Sequence, residues 1–505
     1  MRIIPAFRCG TSSDAARLKR RFWLATLLAL ATCAAGISRG WAQNAPVAPP
    51  PVLTEDMLKS IPVIPSDELA GLRQFTRSTF EAGHQAWMMA GTIAALFLVA
   101  PGLAFFYGGL LNTERLAERL IESLLLTGLL SLAWVLWTYS LAFSRNEHSF
   151  DIQAREIHAT DEKYQQGNRY VGGWNHVALQ GFDPQIRDDR PAYPLRRPGD
   201  VIPHVLFMAF QLGIFIAAAA PLMVALGNRL KLWVRMLFLL LWGTLVYAPI
   251  AYWIWGGGWH SATLDYAGGI VVQATVGFSA LALALGLGRL PAGAPPRPQA
   301  PALPLLGAGT MLFWAGALVC NASHALAATA GSANACIATH LAACTGILGW
   351  AGWEWLVRGT ASPTGICAGA VTGLFAIAPA CGFVAPQSAL LIGLTAGVVG
   401  QVAFQTVAAR RDDHPLIVLF VLQGIAGVIG VMLTGVFATP GIAGFNRRGD
   451  EISGALSGNF EQLGVQAAAL GAAVALAFVG TALIAGVIRV IARPAAQNGH
   501  SAASA

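Results

Sequence analysis

The chain has 505 residues, 55% of them hydrophobic and only 11% charged, with a formal net charge of +7. Soluble domains carry about 25% charged residues, so the composition excludes a soluble globular protein and points to an all-α polytopic membrane protein. Its apolar runs approach or exceed the roughly 20 residues that cross a bilayer as helix, and they lack the alternation over about ten residues of a membrane β-barrel.

Residues 1–42 read as a secretory signal peptide. Arg17, Lys19, Arg20 and Arg21 precede an apolar stretch from Phe22 to Ile37, and the small residues Gly40 and Ala42 stand before a cleavage point at Gln43. This segment also explains the net charge. Arg2, Arg8 and Arg39 join those four basic residues against a single Asp14, and the remainder is close to neutral. The high pI therefore carries no nucleic-acid reading. Residues 43–85, opening on a Pro-rich linker, form an extracytoplasmic N-terminal segment.

Eleven spans follow, at 86–107, 121–143, 202–226, 236–255, 266–288, 304–326, 334–356, 364–384, 388–408, 415–437 and 464–491. Arg115, Arg119, Arg229, Lys231, Arg235, Arg289, Arg297, Arg358, Arg410, Arg411, Arg489 and Arg493 gather on one side of this arrangement. The positive-inside rule then places the C-terminus in the cytoplasm and the mature N-terminus outside, in an inner membrane. Trp87, Trp253, Trp255, Trp259 and Trp355 stand near span ends, as interface anchors do.

The connection 144–200 is long, polar and dotted with aromatic residues, and the topology makes it an extracytoplasmic insertion. It reads first as a solvated segment packed over its own helices, and second as a lid over a pathway. His148, His158 and His176 within it follow no metal-ligand spacing, so no metal is expected. Cys320, Cys336, Cys344, Cys367 and Cys381 fall in or beside apolar helices without CxxC spacing and read as packing residues. Glycines recur at three- and four-residue spacing inside spans, which lets helix backbones pack closely in lipid. The segment 492–505 reads as a short cytoplasmic tail. No G-x-S-x-G, HExxH or Walker loop is present, so neither an enzyme nor a cofactor is expected, and Glu122 and Glu354 near span ends look interfacial.

Two glutamines stand out. Gln273-Ala-Thr-Val-Gly277 and Gln423-Gly-Ile-Ala-Gly427 place an amide inside an apolar span, followed four residues later by glycine. An unpartnered buried amide costs roughly 2–7 kcal/mol. Polar side chains at equivalent positions, five spans apart, are what an inverted repeat would place on a substrate path.

Ordered strings along the spans carry a resemblance. They include Ala86-Trp-Met, Pro101-Gly-Leu-Ala-Phe-Phe-Tyr-Gly-Gly109, Trp137-Thr-Tyr-Ser-Leu-Ala-Phe143, Ile202-Pro and Phe210-Gln211-Leu212. Tyr247-Ala-Pro-Ile-Ala, Trp255-Gly-Gly-Gly258, Leu264-Asp-Tyr-Ala-Gly-Gly269 and Asn321-Ala-Ser follow. Gly369-Ala-Val-Thr-Gly-Leu-Phe-Ala-Ile-Ala-Pro379, Gly382-Phe-Val and Leu433-Thr-Gly-Val-Phe437 complete the series. Residues 86–491 thereby resemble the ammonium transporter (Amt/Mep/Rh) family. The resemblance implies an eleven-helix ammonium transporter fold, an inverted repeat of spans 1–5 and 6–10, and a homotrimer with one pore per subunit.

It also implies roles for individual residues. Trp255 and Phe210 match the aromatic pair that recruits a cation by its π-faces, an attraction of about 0.5–2 kcal/mol. The residues alone leave Trp255 open as an interface anchor and Phe210 as core. Asp265 matches the family's buried aspartate and equally suits a helix N-cap ahead of Ala267-Gly268-Gly269. His324 falls where the family has a serine, either as an ordinary vestibule histidine or as a replacement cation contact. The family's two stacked phenylalanines, a pore gate, align with Ile214 (Phe215 one residue later) and with Cys320. Gln273 and Gln423 replace both histidines of the family's pore pair.

Histidine titrates near pH 6.5 and can relay a proton, whereas glutamine offers donors and an acceptor but does not titrate. The expected function is a transmembrane channel or transporter for ammonium or ammonia without a histidine relay. The alternatives are a non-conducting ammonium sensor, or a channel for another small neutral solute such as CO2. The acidic pattern that meets the PII nitrogen regulator is not matched: Asp412 and Asp413 are out of register, and Val418 stands where another aspartate is expected.

Overall fold

A computed structural model of the chain describes residues 66–111, 116–144, 169–187, 190–196, 200–227, 229–287, 301–408, 414–444 and 450–491. The expected signal peptide, the tail from 492, Asp412, Asp413, His148 and His158 lie outside the described residues. Among the described residues, eleven apolar helices follow in order. They are α1 (Thr79–Leu111), α2 (Leu120–Phe143), α3 (His204–Ala225), α4 (Leu232–Gly256), α5 (Gly269–Leu287), α6 (Leu303–Ser323), α7 (Ala330–Arg358), α8 (Pro363–Ile377), α9 (Pro386–Val407), α10 (Pro415–Phe437) and α11 (Glu461–Ile491). Ten of these are long and apolar enough to cross a membrane; α8, with 15 residues, is shorter. The protein is a multi-pass α-helical membrane protein.

The first helix begins earlier than its apolar run, at Ser66, directly after Pro65, with Asp67 and Glu68 in its first turn. Proline ahead of acidic residues is an ordinary helix start, so part of the expected N-terminal segment is helical. The eighth helix stops earlier than the 364–384 expected. The carbonyls of Ala378 and Pro379 accept the N–H groups of Ala267 (3.0 Å) and Tyr266 (3.1 Å), so this end of α8 is joined to the strand-like approach to α5. Gly269 allows the meeting, since a Cβ there would lie 2.5 Å from Pro379 Cγ.

The Gln-x-x-x-Gly pattern is the contact between α5 and α10. A Cβ on Gly277 would overlap the backbone of Gly424, the residue after Gln423. Reciprocally, a Cβ on Gly427 would come within 2.9 Å of Gln273 Cβ and of the Ala274 amide nitrogen. Each glycine thus meets the other helix beside its glutamine, as a two-fold relation between α5 and α10 demands. Each glutamine also lies in a π-helical turn, Gly269–Ala274 or Phe420–Ile425, a local widening frequent at functional sites.

Polar side chains join the helices elsewhere. Trp242 Nε1 of α4 and Thr481 Oγ1 of α11 both donate to Ser279 Oγ of α5, each at 2.9 Å. Arg235 of α4, placed by its sequence in a loop-side basic cluster, is buried and pairs with Glu122 of α2 at 2.7 Å. Glu354 is not interfacial as expected. It is buried at the end of α7, where it accepts the N–H of Ser362 (2.8 Å), the Ser362 hydroxyl and Gln401 Nε2 (3.1 Å). Gly365 leaves it room.

The described part of the connection 144–200 packs on its own helices. Gly172 donates to the Leu141 carbonyl (2.7 Å), Ser140 Oγ to the Gly173 carbonyl (2.8 Å), and Trp253 Nε1 to the Tyr170 carbonyl (2.7 Å). A short hairpin, β1 (Gln185–Arg187) and β2 (Arg190–Ala192), precedes α3. His176 stacks edge-on against His204, and no group of metal-ligating side chains occurs among the described residues. The five cysteines named above are free thiols.

The crossing yields a first prediction. Gly277→Ala forces α5 and α10 apart, and overpacking of this kind costs about 1–3 kcal/mol. Thermal unfolding in detergent should show a lowered midpoint, whereas Gly471→Ala, where nothing lies within 4 Å, should not. Equal midpoints for the two variants would contradict the crossing.

Candidate functional site

The connection between α4 and α5 builds one half of the site. Two glycines in the left-handed region bend it, Gly257 (φ 100°) and Gly268 (φ 99°), a conformation other residues adopt at a cost. Between them Asp265 turns back on the start of α5. Its Oδ1 accepts the N–H groups of Gly268 (3.0 Å) and Gly269 (2.5 Å), and its Oδ2 those of Ile270 (2.8 Å) and Val271 (3.1 Å). All four N–H groups that a helix start leaves without intrahelical partners are met by one carboxylate. Burial pushes the Asp265 carboxyl above its ordinary value, against these four bonds, which favour the ionised form. These four bonds give Asp265 the capping role, which is compatible with an electrostatic one.

Trp255 is tied to the same residue, its Nε1 donating to the Asp265 backbone carbonyl at 2.7 Å. The ring of Trp255 lies 5.8 Å from that of His324, which stands edge-on to Phe210 at 4.9 Å. Trp255, Phe210 and His324, from α4, α3 and the end of α6, therefore meet. Tyr266, which sequence reasoning passed over, is the fourth member, 6.2 Å from His324. The only signal for it was its place beside Asp265.

The His324 ring is oriented. Its Nδ1 lies 2.9 Å from the Cys320 carbonyl, which can only accept, so Nδ1 carries the proton. Its buried Nε2 makes no hydrogen bond among the described residues. Asp265 joins the cluster through its backbone, because its carboxylate is fully used by α5.

The gate positions separate. Ile214 and Cys320 are buried in α3 and α6, and the Cys320 carbonyl holds His324. The Phe215 ring stacks on Trp134 of α2 (5.1 Å) and lies 4.9 Å from Tyr247 of α4, over Gly243, in the packing among α2, α3 and α4. Consecutive helix residues point about 100° apart, so Phe215 and Ile214 present different faces of α3.

Gln273 lies four residues after Gly269, the first residue of α5, about one turn from the helix start that Asp265 caps. Gln423 Nε2 donates to Gln273 Oε1 at 3.1 Å across the glycine crossing. Gln423 is fully buried, and its Oε1 makes no hydrogen bond among the described residues. The pair is joined by one amide–amide bond.

Comparison with known proteins gives a consistent picture. The sequence profile described as Ammonium Transporter Family matches residues 86–493. The ammonium transporter of Bacillus subtilis is 33% identical over 351 residues, covering 69% of this chain and 78% of that protein. Ammonium transporter Amt1 of Archaeoglobus fulgidus is 31% identical over 409 residues, covering 80% and 91%. The crystal structure of Saccharomyces cerevisiae Mep2 superposes with a TM-score of 0.68 at 28% identity, covering 82% of this chain and 86% of that one.

The capping role of Asp265 is testable without any ligand. Asp265→Ala removes a cap worth about 0.5–2 kcal/mol and leaves buried N–H groups unmet at about 1–3 kcal/mol. The unfolding midpoint should fall clearly, and amide exchange over 268–271 should quicken. An unchanged midpoint and unchanged exchange would contradict the assignment.

Proposed function

The chain belongs to the ammonium transporter family, and from that premise we propose that it conducts ammonium or ammonia across a membrane along a path lined by Gln273 and Gln423. The observation that carries the reading is the amide pair itself, hydrogen-bonded across the α5/α10 crossing about one turn along α5 from the start that Asp265 caps. Trp255, Phe210 and His324 recruit the cation. Two ring faces attract it, and the lone pair on His324 Nε2 accepts one of its N–H bonds. Asp265 keeps the start of α5, and with it Gln273, in place. Ile214 and Cys320 stand at the gate positions.

The amides set the chemistry of passage. Neither titrates near neutral pH, so no proton is relayed from one to the other. Ammonia then crosses without its proton being handed on by this pair, or ammonium crosses whole in a hydrated path. Reconstitution in liposomes separates these outcomes. Ammonium applied outside should produce either an internal alkaline shift without current or a current, above protein-free liposomes. A potassium-evoked current of similar size would assign passage to a hydrated path. Absence of both signals would contradict conduction and leave binding alone. Gln273→His with Gln423→His, which restores titrating groups, should add an ammonium-selective current.

Assembly and placement follow the same premise. We propose an inner-membrane protein with a cleaved signal peptide, the insertion 144–200 outside and the C-terminus in the cytoplasm. Arg229, Lys231, Arg358 and Arg489 support this, all at helix ends that would be cytoplasmic. A PII-type regulator is not part of the proposal. The assembly is a homotrimer. His340 supports self-association: it is exposed on α7, ten residues from Ala330 or about 15 Å into a roughly 30 Å core. Its ring covers Trp314, and its Nε2 reaches only Cys344 Sγ at 3.7 Å. Ionisable side chains at such depth face protein or water rather than lipid. Light scattering of the purified protein should give three copies, and a monomer would contradict the assembly.

A further inference from the structure

Gln466 of α11 is fully buried, and its amide joins three separate parts of the protein. Its Oε1 accepts the N–H of Leu264 at 2.8 Å, and its Nε2 donates to the Leu264 carbonyl at 2.9 Å, so the side chain pairs with that residue as a neighbouring β-strand would. Nε2 also donates to the Val431 carbonyl of α10 at 3.1 Å. One turn earlier, Gln462 Nε2 donates to Gln466 Oε1 at 3.1 Å. The backbone of α10 leaves space for this arrangement, since a Cβ on Gly435 would lie 3.0 Å from Gln466 Cγ.

The two anchor points matter for the site. Leu264 precedes Asp265, which caps α5 through its carboxylate and holds Trp255 through its carbonyl. Val431 lies eight residues beyond Gln423 on α10. One amide therefore fixes the aromatic cluster relative to the helix that carries half of the glutamine pair. A helix that served only as a lipid-facing cover for α10 would need an apolar residue at this position. A buried glutamine with its oxygen and both N–H bonds engaged is a demanding choice, because each polar atom left unmet carries a desolvation cost.

We propose that Gln466 is a positioning residue for recruitment: it holds the Leu264–Asp265 segment so that Trp255 faces His324 and Phe210, and it thereby sets the apparent affinity for ammonium without touching it. The inference rests on the transport reading above. Gln466→Met keeps the length of the side chain and removes every polar atom. Gly435→Ala keeps every polar atom and presses on Gln466 from the opposite side, so it serves if the first variant fails to fold.

Two readouts decide, both on the full-length protein. Amide exchange over 264–271 should quicken in either variant. The half-saturating ammonium concentration for uptake into liposomes should rise about tenfold, the size of one lost hydrogen bond, with the maximal rate per folded protein held within about twofold. Unchanged exchange over 264–271 would overturn the anchoring. Faster exchange with an unchanged half-saturating concentration, or a loss confined to the maximal rate, would overturn the role in recruitment and leave Gln466 a packing residue. Should the unmodified protein carry no ammonium, the transport reading fails by itself, and the exchange measurement still decides whether Gln466 holds the segment.

Discussion

Two helices can bring a pair of uncharged amides together inside an apolar bundle only if their backbones approach closely at that point. Gly277 and Gly427 permit the approach, and the 3.1 Å bond between Gln423 Nε2 and Gln273 Oε1 is its result. A larger residue at either glycine would separate the helices and leave each amide in an environment where an unmet polar group is costly. The packing of α5 on α10 and the pairing of the glutamines are thus one constraint. The π-helical turns at both glutamines belong to it, because they set where along each helix the side chain emerges.

The aromatic cluster depends on a second constraint of the same kind. Asp265 is a buried carboxylate whose four close partners are backbone N–H groups at the start of α5. The residue that the family resemblance offered as an electrostatic attractor therefore acts first on its own helix. Trp255, Phe210, Tyr266 and the oriented ring of His324 meet beside this cap. That ring is a departure from the family's serine, and the Cys320 carbonyl fixes which nitrogen carries its proton. A histidine held this way accepts a hydrogen bond from a cation more effectively than a freely rotating ring, because its lone pair is already aimed.

Much of the fold was legible in the sequence because lipid imposes a simple rule: a crossing helix satisfies its own backbone and shows as a long apolar run. The shortened α8 was not legible, because apolar composition continues through Ala378 and Cys381 after the helix has ended. What ends it is a pairing with Tyr266 and Ala267, more than a hundred residues away. The glutamines were legible because an in-span amide is conspicuous. Their glycines explained themselves only once α5 and α10 were seen to cross. The packing of Phe215 against Trp134 and Tyr247 was not legible, because a one-residue step on a helix turns the side chain by about 100° to another face. Glu354 was misread because a carboxylate near a span end looks interfacial, until Ser362 and Gln401 are found closing over it.

The central claim is that Gln273 and Gln423 form one hydrogen-bonded unit, and a double-mutant cycle addresses it most directly. Unfolding free energies would be measured in detergent for the unmodified protein, Gln273→Leu, Gln423→Leu and the double variant. Each single change strands a buried amide, whereas the double change strands none. The double variant should therefore lose less than the sum of the two single losses, by about 1 kcal/mol or more. Strictly additive losses would show that the two amides do not meet, and would contradict the account.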